Sequence, residues 1–183
     1  MGNAYLLTGK PRVGKTTIIK HIVAKIGSQH CGGFYTEEIL DETKADPRIG
    51  FRLRTLAGQE GILAHQYLDG PYHLGRYGID LTCLQTIGIP ALLSAAAEKR
   101  LIVIDEIGFM QALCEPFTKT IEALLNGHQT IVGTIVQRPH PWITTIKKHQ
   151  GVNLYEVRAD NRDHLAKLLT ATLKEREQNN LFS

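Results

Sequence analysis

The chain has no long apolar run, no cysteine pattern and no strong charge of either sign. Its apolar stretches fall far short of the ~20 residues that a membrane span requires. Cys31, Cys83 and Cys114 lie far apart with no C-x-x-C pair, which argues against a disulfide framework; an odd, unpatterned count points to a reducing cytoplasm. The eight histidines are as scattered, and no His/Cys pair has ligand spacing, so no zinc site is expected. A net charge of +3, with its Lys and Arg dispersed, gives no support for a nucleic-acid groove. Repeats and linkers are missing as well. The first apolar run begins at Ala4, leaving no room for a signal peptide. What remains is an ordinary soluble composition, 43% hydrophobic and 21% charged over 183 residues. That is enough for one domain with a proper core, expected over residues 1–177, followed by a polar tail at 178–183. A monomer is expected.

One stretch organises the rest. Gly9-Lys10-Pro11-Arg12-Val13-Gly14-Lys15-Thr16 fits G-x-x-x-x-G-K-[ST], and Thr17 follows. Ala4–Leu7 before it suits a buried strand. Ile18, Ile19, Ile22, Val23 and Ile26 after it recur at helical spacing until Gly27. Strand, glycine-bounded loop and helix are the context a phosphate-binding loop needs. Gly9 and Gly14 let successive N–H groups converge on one concavity, and that concavity opens at a helix N-terminus, where the dipole favours an anion. Lys15 would reach the β- and γ-phosphates, the Thr16 hydroxyl would bind Mg²⁺, and Thr17 would bond the α-phosphate. The ligand expected is a nucleoside triphosphate.

Further on, 32–39 reads as a loop and a second strand, and 41–47 as a surface loop. Residues 49–56 alternate, with Phe51, Leu53 and Thr55 on one face and Arg52 and Arg54 on the other. With the turn at 57–61 and Ile62–Ala64 they predict an antiparallel hairpin. Residues 69–80, rich in Gly and Tyr, look irregular. A helix is predicted from about Ile89 to Lys99, with Pro90 in its first turn. Leu101–Ile104 and Thr130–Val136 are buried-strand runs; helices follow at Thr118–Leu125 and Trp142–His149. Asn153–Val157 makes a last strand, and Arg162–Glu175 a last amphipathic helix with Leu165, Leu168, Leu169 and Leu173 inward. Strands alternating with helices give a three-layer α/β/α sandwich on a mainly parallel sheet, with the hairpin inserted.

Asp105-Glu106 directly follows Leu101–Ile104. At ~3.3 Å per residue the apolar run crosses the core, so Asp105 emerges at the C-terminal sheet edge, where ligands of open α/β sheets bind. Asp105 would hold Mg²⁺ opposite Thr16, through its waters. Glu106 is beside it and free of the metal, suited to take a proton from an attacking water. By analogy with the P-loop ATPases that carry such a pair, the parallel strands are expected in the order 5-1-4-3-2. The fourth would then end near the γ-phosphate at Thr134 and Gln137, and Gln137 is a candidate for orienting water.

The phosphate loop, Gly33-Phe34-Tyr35-Thr36-Glu37-Glu38, Gly75-Arg76-Tyr77-Gly78-Ile79-Asp80, Ile102–Gly108, Gly133-Thr134-Ile135 and Asn161-Arg162 occur in that order. Together they resemble the small P-loop nucleoside-triphosphatases of the cancer-related type, over residues 4 to about 165. The resemblance implies Mg²⁺-dependent hydrolysis of ATP, GTP and other triphosphates to diphosphate and phosphate, with loose base preference. It also implies nucleotide contacts along Gly9–Thr16 and at 101–108, including Asp105, Glu106, Ile107 and Gly108. One departure is Phe109-Met110-Gln111, where the family usually has a Lys-Met-Glu type of run.

The remaining polar candidates are less specific. Thr36, Glu37 and Glu38 follow the second strand and are candidates to meet metal-bound waters or a second substrate, or else solvent. Arg76 is a candidate γ-phosphate contact and Asp80 a candidate acceptor base. Asn161 and Arg162 are candidates for the base side, with Asn161 also suited to cap the last helix. An arginine finger adds ~10³–10⁵-fold, and none is firmly placed, so slow turnover is expected. The competing functions are a nucleoside, nucleotide or nucleic-acid-end kinase using the same loop, and a nucleotide-dependent switch.

Overall fold

The chain runs β1 (Ala4–Thr8), α1 (Lys15–Ile26), a 3-10 turn, β2 (Cys31–Leu40), β3 (Arg48–Thr55), β4 (Glu60–His65), β5 (His73–Leu74) and β6 (Tyr77–Ile79). Then come α2 (Leu81–Cys83), a π turn (Leu84–Gly88), α3 (Ile89–Ala97), β7 (Leu101–Ile107), α4 (Phe109–Ala112), α5 (Glu115–Asn126), β8 (Ile131–Ile135), α6 (Pro141–Lys148), β9 (Val152–Glu156) and α7 (Arg162–Leu181). The computed structural model describes residues 2–98 and 100–181, with side chains to 176.

The strands form one sheet in the order β5-β6-β4-β3-β2-β7-β8-β1-β9. Its parallel half, β9-β1-β8-β7-β2, is the expected order 5-1-4-3-2. Alternate residues of the central strands point to opposite faces, and each face has its own core. Tyr5, Leu7, Leu101, Val103 and Val132 pack with Ile18, Ile19 and Ile22 of α1 and Leu165, Leu169 and Leu173 of α7. Ala4, Leu6, Ile102, Ile104, Ile131 and Ile135 pack with Leu92 of α3, Phe117, Ile121 and Leu124 of α5, and Ile143 and Ile146 of α6. Three layers result, as strands buried on both faces require. β2 and β7 approach closely only because Gly33 lacks a side chain: its φ is +112°, and a Cβ there would lie 2.1 Å from the Val103 carbonyl oxygen.

The predicted hairpin is present, with Leu53 and Thr55 buried, and it continues the sheet's edge. Residues 69–80 are more ordered than their composition predicts. They hold β5 and β6, and β6 pairs with β4. Helical structure begins at Leu81, eight residues before the predicted start, and reaches Pro90 through the π turn. Proline removes an N–H from the ladder, and a widened turn before it accommodates that loss. Lys99, the predicted end of that helix, lies outside the described residues. The last helix runs to Leu181, taking in most of the segment expected as a tail. Among the described residues no helix is long and apolar enough to cross a membrane.

Candidate active site

The phosphate loop folds as its glycines dictate. Gly9 and Gly14 have φ of +140° and +107°, conformations that cost a side-chain-bearing residue dearly. Arg12 also takes a positive φ, +61°. Gly14 caps α1, and the Gly14 carbonyl accepts the Ile18 N–H at 3.0 Å. No side chain caps that terminus, so its first N–H groups stay available to an anion. Lys15 Nζ donates to the Gly9 and Lys10 carbonyls, both at 2.9 Å. The lysine thereby braces the loop it serves.

Asp105 is 3% exposed. The Thr134 hydroxyl donates to its Oδ1, while its Oδ2 is buried without a partner. Burial lifts its carboxyl above the usual range, against the pull of Thr134, Thr16 and Lys15. Glu106 is raised by burial first and by the charge of Asp105 second; Lys15 opposes both. Lys15 is depressed by burial and held up by Glu106 and then Asp105. Three ionisable groups from two elements thus share one poorly solvated space. The orphan Oδ2 of Asp105 and the Thr16 hydroxyl, from residues that line one cleft, are hard oxygen donors of the kind Mg²⁺ takes. Among the described residues no group of three His, Cys, Asp or Glu could hold a metal alone, so a metal there would need phosphate or water ligands.

These groups line a cleft of about 550 Å³. Pro11, Arg12, Gly14, Lys15, Thr16 and Thr17 form its floor, Asp105 and Glu106 one wall, and Thr36, Glu37 and Glu38 the other. Arg48, Phe51, Leu74, Phe109 and Met110 close the far side. Glu38 bridges two arginines, Arg48 at 2.8 Å and Arg12 at 3.6 Å. Glu37 pairs with Lys20 at 3.0 Å, which holds its carboxyl below the usual range. Arg48 was missed by sequence reading, since it opens β3, far in sequence from the motifs.

Other candidates are placed elsewhere. Arg76 does not line the cleft: Asp46 at 2.8 Å, the Arg48 carbonyl and the Tyr77 hydroxyl engage its guanidinium. Asp80 caps α2 through the Thr82 N–H at 2.8 Å. Gln137 reaches toward Glu156, at 3.4 Å, rather than into the cleft. Thr134 serves Asp105. Ile107 is buried in the core that holds Phe117, and Val13 packs against the opposite core, with Ile18 and Ile19; the Lys10 side chain is exposed. Asn161 accepts from the Arg158 N–H at 2.8 Å and donates to the Glu156 carbonyl at 3.0 Å, shaping the loop before α7. Arg162 lines a second cleft of about 480 Å³, with Gly14, Thr17, Ile18 and His21 on the other side of the α1 start.

The family model described as NTPase matches residues 4–170. Nucleoside-triphosphatase THEP1 of Thermotoga petrophila is 42% identical over 176 residues, 96% of each chain. The human cancer-related nucleoside-triphosphatase is 34% identical, covering 90% of this chain and 93% of its own. The crystal structure of THEP1 from Aquifex aeolicus superposes with a TM-score of 0.83 at 30% identity, over 93% of this chain and 99% of that one.

Proposed function

The chain belongs to the NTPase family, and from that premise we propose that it is a Mg²⁺-dependent nucleoside-triphosphatase. It hydrolyses ATP, GTP and other triphosphates to diphosphate and phosphate, slowly and with loose base preference, as a monomer in the cytoplasm. The observation that carries this reading is the meeting of Lys15, Thr16, Asp105 and Glu106 in one cleft.

The triphosphate lies along the loop, its oxygens taking the free N–H groups at the start of α1. Lys15 exchanges the Gly9 and Lys10 carbonyls for the β- and γ-phosphates. Thr16 and Asp105 would hold Mg²⁺, which would supply neutralising charge to those phosphates. Glu106 accepts a proton from the attacking water, and its burial makes it a stronger base than an exposed glutamate. Arg162 lines the second cleft, on the α7 side of the loop, which suits the base. Arg12 and Arg48 supply positive charge near the γ-phosphate but are shared with Glu38, in keeping with slow turnover. The kinase alternative gains nothing from the structure, since Asp80 is engaged as a helix cap.

Glu106→Gln tests the assignment. Phosphate release should fall at least ~10²-fold with nucleotide affinity nearly intact. Equal losses in rate and affinity would make Glu106 structural.

A further inference from the structure

Gln111 is fully buried in α4. Its Nε2 donates to Thr36 Oγ1 at 3.4 Å, the edge of hydrogen-bond range. Its Oε1 is buried and accepts nothing. A buried oxygen without a donor destabilises a fold, and an apolar side chain of the same length would avoid that cost. The orphan has a neighbour of its own kind. A Cβ on Gly108 would lie 3.0 Å from Gln111 Oε1 and 3.1 Å from Glu106 Oε1. Two acceptors therefore approach one point beside Gly108. When Glu106 is ionised neither oxygen can donate to the other. A molecule with two hydrogens to give satisfies both.

We propose that Gln111 is a positioning residue for the reaction: its Oε1 and the Glu106 carboxylate hold between them the water that Glu106 activates. This rests on the reading of Glu106 as the base. A water donating one hydrogen to each oxygen turns its lone pairs away from both, into the cleft that Glu106 lines. Its oxygen then bonds the terminal phosphorus, and the bond from phosphorus to the bridging oxygen breaks, its electron pair leaving with the diphosphate. The proton taken by Glu106 passes to the phosphate product. Gln111 exchanges no proton. A water held by one acceptor can still rotate about that bond; the second acceptor removes the freedom before the reaction begins.

The test compares Gln111→Met, which loses the acceptor, with Gln111→Glu, which keeps it and loses the amide donor. Single-turnover phosphate release, nucleotide affinity and thermal melting are measured for each, alone and with Glu106→Gln. Gln111→Met should lose about 10- to 100-fold in rate, with affinity held within about twofold and melting temperature unchanged or higher. Gln111→Glu should stay within about fivefold of the parent. Adding Gln111→Met to Glu106→Gln should cost less than about threefold more, since the two act on one water. An undiminished rate in Gln111→Met overturns the proposal, as does an equal loss of affinity. A Gln111→Glu variant as slow as Gln111→Met also overturns it, because the amide N–H would then be what matters. A fast Glu106→Gln variant defeats the parent reading, and this one with it. A slow Glu106→Gln beside a fast Gln111→Met defeats only the water-positioning role.

Discussion

Replacing Gly108 with alanine disturbs Glu106 and its neighbour Gln111 while leaving the phosphate loop untouched. Gly108 has φ −130° and ψ −169°, extended backbone that any residue adopts, so Gly108→Ala adds a methyl without backbone strain. That methyl would meet Gln111 Oε1 at 3.0 Å, Glu106 Oε1 at 3.1 Å and Glu106 Cγ at 3.3 Å. Each contact is a few tenths of an ångström too short, so something must move. Gln111 is walled in, whereas Glu106 has the cleft beside it and is the group that gives way. Overpacking of about 1–3 kcal/mol is partly offset by about 0.4–1 kcal/mol from the stiffer unfolded chain. The melting temperature should therefore fall by only a few degrees at this chain length. A base displaced by up to ~1 Å, however, costs as much as ~10²-fold in rate. Single-turnover phosphate release should drop about 10- to 100-fold, and equilibrium nucleotide binding should not change, because the loop and Lys15 are untouched. An unchanged rate would refute the claim that the position of Glu106 governs turnover. A parallel loss of binding would mean that the methyl had reshaped the phosphate site instead.

Burial raises the carboxyls of Asp105 and Glu106, so the folded chain keeps their protons to higher pH than the unfolded one. The stability they contribute is complete below the ordinary carboxylate range and is lost as pH rises through the raised folded values. Asp105→Asn should flatten that fall and raise the melting temperature at neutral pH while abolishing phosphate release; a lower melting temperature than the parent at pH 7 contradicts it. Because Glu106 must be ionised to accept a proton, the acid limb of kcat/KM should lie above the usual glutamate range and disappear in Glu106→Gln. Arg76→Ala should leave phosphate release within about threefold of the parent, given its engagement with Asp46 and Tyr77; a loss near ~10²-fold would return it to the γ-phosphate.

The legible parts of the sequence were those whose signal is local. Glycines at 9 and 14, a lysine and a threonine at fixed offsets, and apolar runs on both sides specify the loop without tertiary information. The strand order followed from the Asp105-Glu106 pair by analogy. What stayed hidden depends on long-range pairing or on which neighbour wins a charge. β5 and β6 hold two and three residues, too few to show a period of two, and they are strands because β4 offers an edge. The helical start at Leu81 was masked by Pro90, which suits a first turn, whereas a π turn carries the earlier helical structure into it. Arg76 lies in a segment rich in family-like residues, yet Asp46, thirty positions earlier, captures it. Gln111 stood out as a departure from a usual run, but only its burial beside Gly108 gives it a consequence.

The site's position has a simple cause in the pairing of β2 and β7. The two strands run in parallel register from Cys31↔Leu101 to Tyr35↔Asp105 and then part. β2 continues to Leu40 with β3 as its neighbour, while β7 shifts register against β8 between Ile104 and Ile107. The parting opens a fork, with Thr36, Glu37 and Glu38 on one prong and Glu106 on the other. Asp105 is the last residue paired to β2 and is fixed by Thr134; Glu106 is the first beyond that pairing, hence able to face a reactant. Two adjacent carboxylates with similar intrinsic acidity are thereby given different tasks by one step along the strand. The antiparallel extension also does more than protect an edge: β3 brings Arg48 and Phe51 to the far side of the fork. Without it the cleft would have a phosphate floor and an acidic wall but no enclosure. Water exclusion strengthens every charge interaction on which Lys15, Asp105 and Glu106 depend.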